Sequence, residues 1–231
     1  MTDSIQAVSP SRNGRHCRPK LAKFALMAAL SFFAAAAISA PLQPPSYSSY
    51  YDTVSLLAAM DASAPWIMIS GFAGMAVAML LAALGIQSIK AGKAAMVAVV
   101  LILIASVATA VAGFARADCN PRIPACASRM ESGMSFHSQL HGHAALLVFL
   151  PLILSAFFLA IAAHRINPAK RVTLRLAGAF SGLMQLGLVF LVENHLMGAD
   201  GLLQRVFLVL CYGTPVLFVC MASAPRESAV S

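Results

Sequence analysis

The stretch AAMVAVVLILIASVATAVAGFA, residues 94–115, decides how this chain folds. It carries no charge, and it is bounded by Lys93 on one side and Arg116 on the other. An apolar run of about 20 residues is long enough to cross the hydrocarbon core of a bilayer as a helix. In lipid a helix satisfies its own backbone donors and acceptors, which an open strand cannot do. The segment therefore reads as a transmembrane helix.

The same reading extends outward to Leu21–Ala40, Trp66–Ile89, Gln139–Ala163, Val172–Asn194 and Leu202–Ala222. The whole chain supports it. Of 231 residues 60% are apolar and 10% are charged, against about 25% charged in a typical soluble domain. A soluble fold of this size needs a charged surface, and this composition does not supply one. The fold class predicted is all-α, a polytopic membrane bundle of about six transmembrane helices in one domain, residues 21–222. Residues 1–20, rich in Ser, Pro, Arg and Asn, read as a disordered basic cytoplasmic tail, and residues 223–231 as a short second one.

The net charge of +8 is distributed between the apolar runs and forms no continuous basic face, which argues against a nucleic-acid partner. It instead sets topology. With the N-terminus inside and the helices alternating, the inner side receives Arg12, Arg15, Arg18, Lys20, Lys23, Lys90, Lys93, Arg165, Lys170, Arg171, Arg175 and Arg226. The outer side receives only Arg116, Arg122, Arg129 and Arg205. Lys and Arg concentrate on the cytoplasmic side, so both termini are expected in the cytoplasm of a cell with the protein in its inner membrane. Residues 1–40 also resemble a signal peptide ending at Ile38-Ser39-Ala40. The charged lead is long for that, and the apolar part is long enough to span, so a retained first helix is expected.

Polar chemistry collects at the outer helix ends. Asp118-Cys119-Asn120-Pro121 and Cys126 follow the third span. Ser135-Phe136-His137-Ser138-Gln139-Leu140-His141-Gly142-His143 opens the fourth, Glu193-Asn194-His195 closes the fifth, and Gly201-Leu202-Leu203-Gln204-Arg205 opens the sixth. Cys119 and Cys126 lie close together in a loop expected to face an oxidising space, so they are expected to form a structural disulfide. Cys211 and Cys220, inside the sixth span, read as small buried apolar residues. Gly178-x-x-x-Gly182 reads as close packing within the bundle, and Pro151 and Pro215 as kinks.

His137 and His141, at i and i+4, would share one helical face and are workable zinc ligands. Asp118, Glu193 or His195 would complete the shell and leave a position for an activated water. The plain reading is that these histidines sit in the wet headgroup zone. Glu193 and Arg205 are expected near the rim, where a charge must reach water or a partner. Arg205, with Gln204, would pair with Glu193, Asp118 or Asp200, or else clamp an anionic lipid headgroup.

Taken together, the segments Asp118–Pro121 with Cys126, Ser135–His141 and Gly201–Arg205 resemble the family called domain of unknown function 998, small multispan prokaryotic membrane proteins. The resemblance covers about residues 21–222. It implies topology and draws attention to Asp118, His141, Gln204 and Arg205, but implies no reaction. The reading that follows is a membrane protein that binds a lipid, a small molecule or a partner at its outer face. The alternative is a zinc-dependent membrane hydrolase using the outer His/Asp/Glu cluster. A transporter is disfavoured because no charge lies deep in a span and no paired broken helices suggest inverted repeats. The oligomeric state is not set by the sequence.

Overall fold

The structure is a computed structural model that describes residues 12–193 and 197–223. Among the described residues seven α-helices follow one another: α1 Arg12–Ser39, α2 Pro65–Gln87, α3 Lys93–Phe114, α4 Pro124–Glu131, α5 Phe136–Ile166, α6 Arg171–Glu193 and α7 Asp200–Ser223. No strand occurs among the described residues. All but α4 are long and apolar enough to cross a membrane. The chain is thus an all-α, multi-pass membrane bundle. α1 begins at Arg12 and not at Leu21, so residues 12–20, expected to be disordered, are helical. Extending an existing helix adds a hydrogen bond per residue without a new nucleation cost, and Arg and Lys are good helix formers. The rest of that tail, and the C-terminal tail, lie outside the described residues.

Successive spans are neighbours, and α7 packs against α1, α2 and α5 as well as α6. The last helix therefore closes the bundle onto the first. Small side chains permit this. Ala78, Ala82, Ala98, Ala105, Ala156 and Ala163 are fully buried, and alanine lets helix axes approach closely. Gly178 and Gly182 do the same where α6 meets α5: a Cβ on Gly178 would stand 2.9 Å from the Ala156 carbonyl oxygen, and one on Gly182 would meet the Phe157 ring. The glycine pair is packing inside one bundle, as its sequence reading had it.

An aromatic group holds the centre. Phe32 of α1 packs edge-on against Phe72 of α2, with ring centroids 5.4 Å apart, and lies tilted against Tyr212 of α7 at 5.6 Å. Large apolar side chains such as Phe24, Leu30, Val107, Leu146, Leu176 and Phe180 are exposed. On a soluble protein they would be a liability; on this one they are the surface that lipid covers.

The two ends of the bundle differ. One end has tight connections, residues 88–92 and 167–170, and holds the start of α1 and the end of α7. There the Asn167 side-chain amide donates to the Met221 carbonyl at 2.9 Å, which ties the α5–α6 turn to α7. The other end carries the long connections, residues 40–64 and 115–135. The first of these is not a solvated loop. Val54, Leu57, Ala58 and Ala59 are buried, and residues Val54–Ala58 form a 3₁₀ turn that folds back over the bundle as a cap.

Candidate functional site

The cap is held by the first turns of α7, and here the Gly201-Leu202-Leu203-Gln204-Arg205 run finds its physical meaning. Gly201 is needed for close approach. A Cβ there would stand 2.4 Å from the Asp52 carbonyl oxygen and 2.7 Å from the Asp52 nitrogen and the Ser49 carbonyl oxygen, all of them backbone atoms. The Leu202 N–H donates to the Tyr50 carbonyl at 3.1 Å. The Gln204 side-chain oxygen accepts from the Val54 N–H at 2.7 Å. Arg205 closes the clasp: Nη1 donates to the carbonyl oxygens of Ser49 (2.8 Å), Asp52 (3.0 Å) and Gly201 (2.8 Å), and Nη2 donates to the Tyr47 hydroxyl at 2.7 Å. The sequence reading paired Arg205 with a carboxylate or a lipid headgroup. Among the described residues its two terminal nitrogens serve the chain's own oxygens, because the carbonyls of a tight inward-folded loop are otherwise unmatched.

The second long connection locks onto the first. The Asp52 carboxylate is 1% exposed; it accepts from the Ser48 N–H at 2.7 Å and pairs with Arg122 at 3.0 Å. Arg122 also lies 4.7 Å above the Tyr51 ring. Arg116 donates to the carbonyls of Ala58 and Ala59 at 2.8 and 2.6 Å. Cys119 and Cys126 stand at disulfide distance, their Cα atoms 5.9 Å apart, and Cys126 lies on α4, a helix the sequence reading had missed. At only eight residues it is too short for a periodic pattern to stand out.

Asp118 secures the start of α5. Its carboxylate accepts from the Ser135 N–H at 2.9 Å and from the Ser135 hydroxyl, while that hydroxyl accepts from the Ser138 N–H at 3.2 Å as the helix N-cap. These bonds to Ser135 hold the Asp118 carboxyl below its usual range. A depressed folded-state value stabilises the fold above the unfolded pKa, and that contribution fades as pH falls through the folded value.

One turn of α5 further in, His141 turns toward α3. Its Nδ1 lies 2.9 Å from the Ala112 carbonyl oxygen and 2.7 Å from that of Ala115. Carbonyl oxygens only accept, so Nδ1 carries the proton and donates. The last carbonyls of a helix lack intrahelical partners, which explains why α3 takes this imidazole. In the neutral ring Nε2 is left as the acceptor. The ring lines a cavity of about 70 Å³ together with Phe32, Phe72, Phe149, Gln204 and Tyr212, roofed by Val54 and Ser55 of the cap. At the cavity floor the Tyr212 hydroxyl lies 3.3 Å from the Thr109 hydroxyl, which itself donates to the Ala105 carbonyl at 2.7 Å.

The expected cluster thus divides. His141 and Gln204 share the cavity, and Arg205 holds its cap. Asp118 lies in the loop, fastened to Ser135. His137 is exposed at the first turn of α5, its ring edge-on to Phe136, whereas the His141 Nδ1 is engaged by the carbonyls of α3. The Glu193 side chain and His195 lie outside the described residues. Among the described residues no three His, Cys, Asp or Glu side chains come together as a metal shell. Sequence reasoning missed Tyr47, Asp52, Arg116 and Arg122 as parts of the cap. It also missed a buried chain between α6 and α7, in which Gln185 donates to Ser181 at 2.8 Å and Ser181 meets Thr214 at 2.6 Å. The signal that was available for the cap was an acid, Asp52, in a run of tyrosines and serines ahead of a span.

A family model described as "Protein of unknown function (DUF998)" matches residues 26–221. No curated protein and no solved structure matches the chain.

Proposed function

The chain belongs to the DUF998 family, whose function is unknown, and we propose that it binds a small, mostly apolar molecule in the His141 cavity beneath the loop cap. The observation that carries this is the fixed orientation of His141. Two carbonyls hold Nδ1, so in the neutral ring the other nitrogen is the acceptor, and the residue lines a cavity walled by Phe32, Phe72, Phe149 and Leu208. A mostly apolar pocket with one or two placed polar groups is the usual form of a small-molecule site. A volume of about 70 Å³ exceeds the roughly 10–15 Å³ that one water requires. The ligand that fits has a hydrogen-bond donor for the imidazole and an apolar body for the rings.

Native mass spectrometry of protein purified from its own membranes tests this. Wild type should carry a bound small molecule. Ala145→Phe, which fills the cavity from α5, should abolish it. His141→Leu should weaken it about tenfold, the value of one well-placed hydrogen bond at the upper end of its range. A wild-type protein with no bound mass, or an Ala145→Phe variant that retains it, would overturn the reading.

The same reading places the long-loop end outside an inner membrane, with both termini in the cytoplasm. Support comes from two independent sources, the twelve-to-four bias of basic residues and a cysteine pair at disulfide distance in the loop 115–135, where an oxidising compartment would preserve it. A reporter active only outside the cytoplasm should work when inserted at Gly133, an open turn, and fail when fused after Ser231. The opposite pattern would refute this orientation.

A further inference from the structure

At the short-connection end, far from the His141 cavity, a cleft of about 540 Å³ opens beside α6, lined by His164, Arg171, Val172, Arg175 and Leu176. Arg171 and Arg175 are one helical turn apart and both are exposed. Like charges at this spacing repel, and among the described residues no carboxylate at this end offsets them. The chain has no Asp or Glu between Asp61 and Asp118, nor between Glu131 and Glu193, so among the described residues this end holds no carboxylate. The neighbouring cation is engaged elsewhere. Arg165 donates from Nε to His164 Nε2 at 3.3 Å, and its guanidinium lies against Gly92. His164 Nδ1 in turn donates to the Ile161 carbonyl at 3.2 Å. The imidazole is thereby a fixed wall, and the two arginines are the donors left facing the cleft.

The chemistry that answers two adjacent guanidinium groups is a phosphate. Its source is indicated by what continues from the cleft. Val172, Leu176, Phe180 and Leu183 are each 62–64% exposed and recur at helical spacing, forming an apolar ridge that runs from the arginines toward the middle of the span. Free phosphate has no use for such a ridge, whereas an acyl chain does. We propose that this cleft binds an anionic phospholipid, with its phosphate on Arg171 and Arg175 and one acyl chain along Val172, Leu176 and Phe180. Topogenic charge alone requires basic residues on this side of the membrane, but not a cleft between two helices or a pair of arginines above an apolar ridge.

Titration of detergent-purified protein with phosphatidylglycerol or with phosphatidylcholine of the same acyl chains, read by native mass spectrometry, tests the assignment. Wild type should bind phosphatidylglycerol about thirtyfold more tightly, since two basic residues near an anionic lipid contribute about 2 kcal/mol together. The R171Q/R175Q variant should lose that preference, R171K/R175K should retain part of it, and K90Q/K93Q, with the same change in net charge, should keep it. Equal binding of the two lipids would overturn the proposal, as would an unchanged R171Q/R175Q variant or an equal loss in K90Q/K93Q. Displacement of the lipid by millimolar inorganic phosphate would show a free-anion site and overturn the lipid assignment.

Discussion

Replacing Gly201 with valine should release the cap from α7 and cost about 3 kcal/mol, the upper range for forcing bulk into a packed position. The three atoms nearest the added Cβ are backbone atoms of Ser49 and Asp52, and backbone cannot swing aside as the tip of a flexible side chain can. Relief requires the loop to move off the helix, and the Arg205 bonds to Ser49 and Asp52 and the Gln204 bond to Val54 then lengthen together. For a chain of this size the melting temperature should fall by roughly 6–12 °C. Gly187→Val in α6 is the matched control, since a Cβ at Gly187 meets nothing within 4 Å. If the two variants melt alike, the cap is not clasped at Gly201 as described.

Cys119 and Cys126 should resist alkylation until a reductant is added, and reduction should destabilise the loop end by roughly 2–3 kcal/mol on the chain-entropy account of a short closed loop. The measurement is peptide-level: the mass of the fragment covering residues 116–135 after labelling of intact cells with a thiol reagent, before and after reduction. Reading that fragment alone separates the pair from Cys211, which is buried, and Cys220. The Cys119→Ser/Cys126→Ser variant should show the same fall in melting temperature without reductant. Ready labelling of both thiols in unreduced cells would show that they are not bridged, and would also remove one of the two supports for placing this loop outside.

The spans were legible in the sequence because lipid is the solvent. A segment that must bury every backbone polar group and face hydrocarbon declares itself by composition and length alone, as residues 94–115 do. The inequality of the two ends was legible for a similar reason, since charge is costly to move across a bilayer and its placement is written locally. That Cys119 and Cys126 come to disulfide distance was readable because a short separation keeps them together.

Tertiary structure decided the rest, because the deciding contacts join distant parts of the chain. Helical spacing put His137 and His141 on one face, but only the place where α3 ends separates them. His141 lies level with the open carbonyls of Ala112 and Ala115, while His137, one turn earlier, is exposed and rests edge-on against Phe136. Arg205 could be singled out by type and position, yet its partners are Tyr47, Ser49 and Asp52, more than 150 residues away. That residues 40–64 fold inward was likewise hidden, because Val54, Leu57 and Ala58 form too short an apolar run to signal burial and become a cap only where α7 presents Gly201, Gln204 and Arg205 to receive them. Composition and charge set which segments cross the membrane; hydrogen bonds between remote segments set which side chains face a cavity, and those bonds exist only once the helices and the loop cap have packed together.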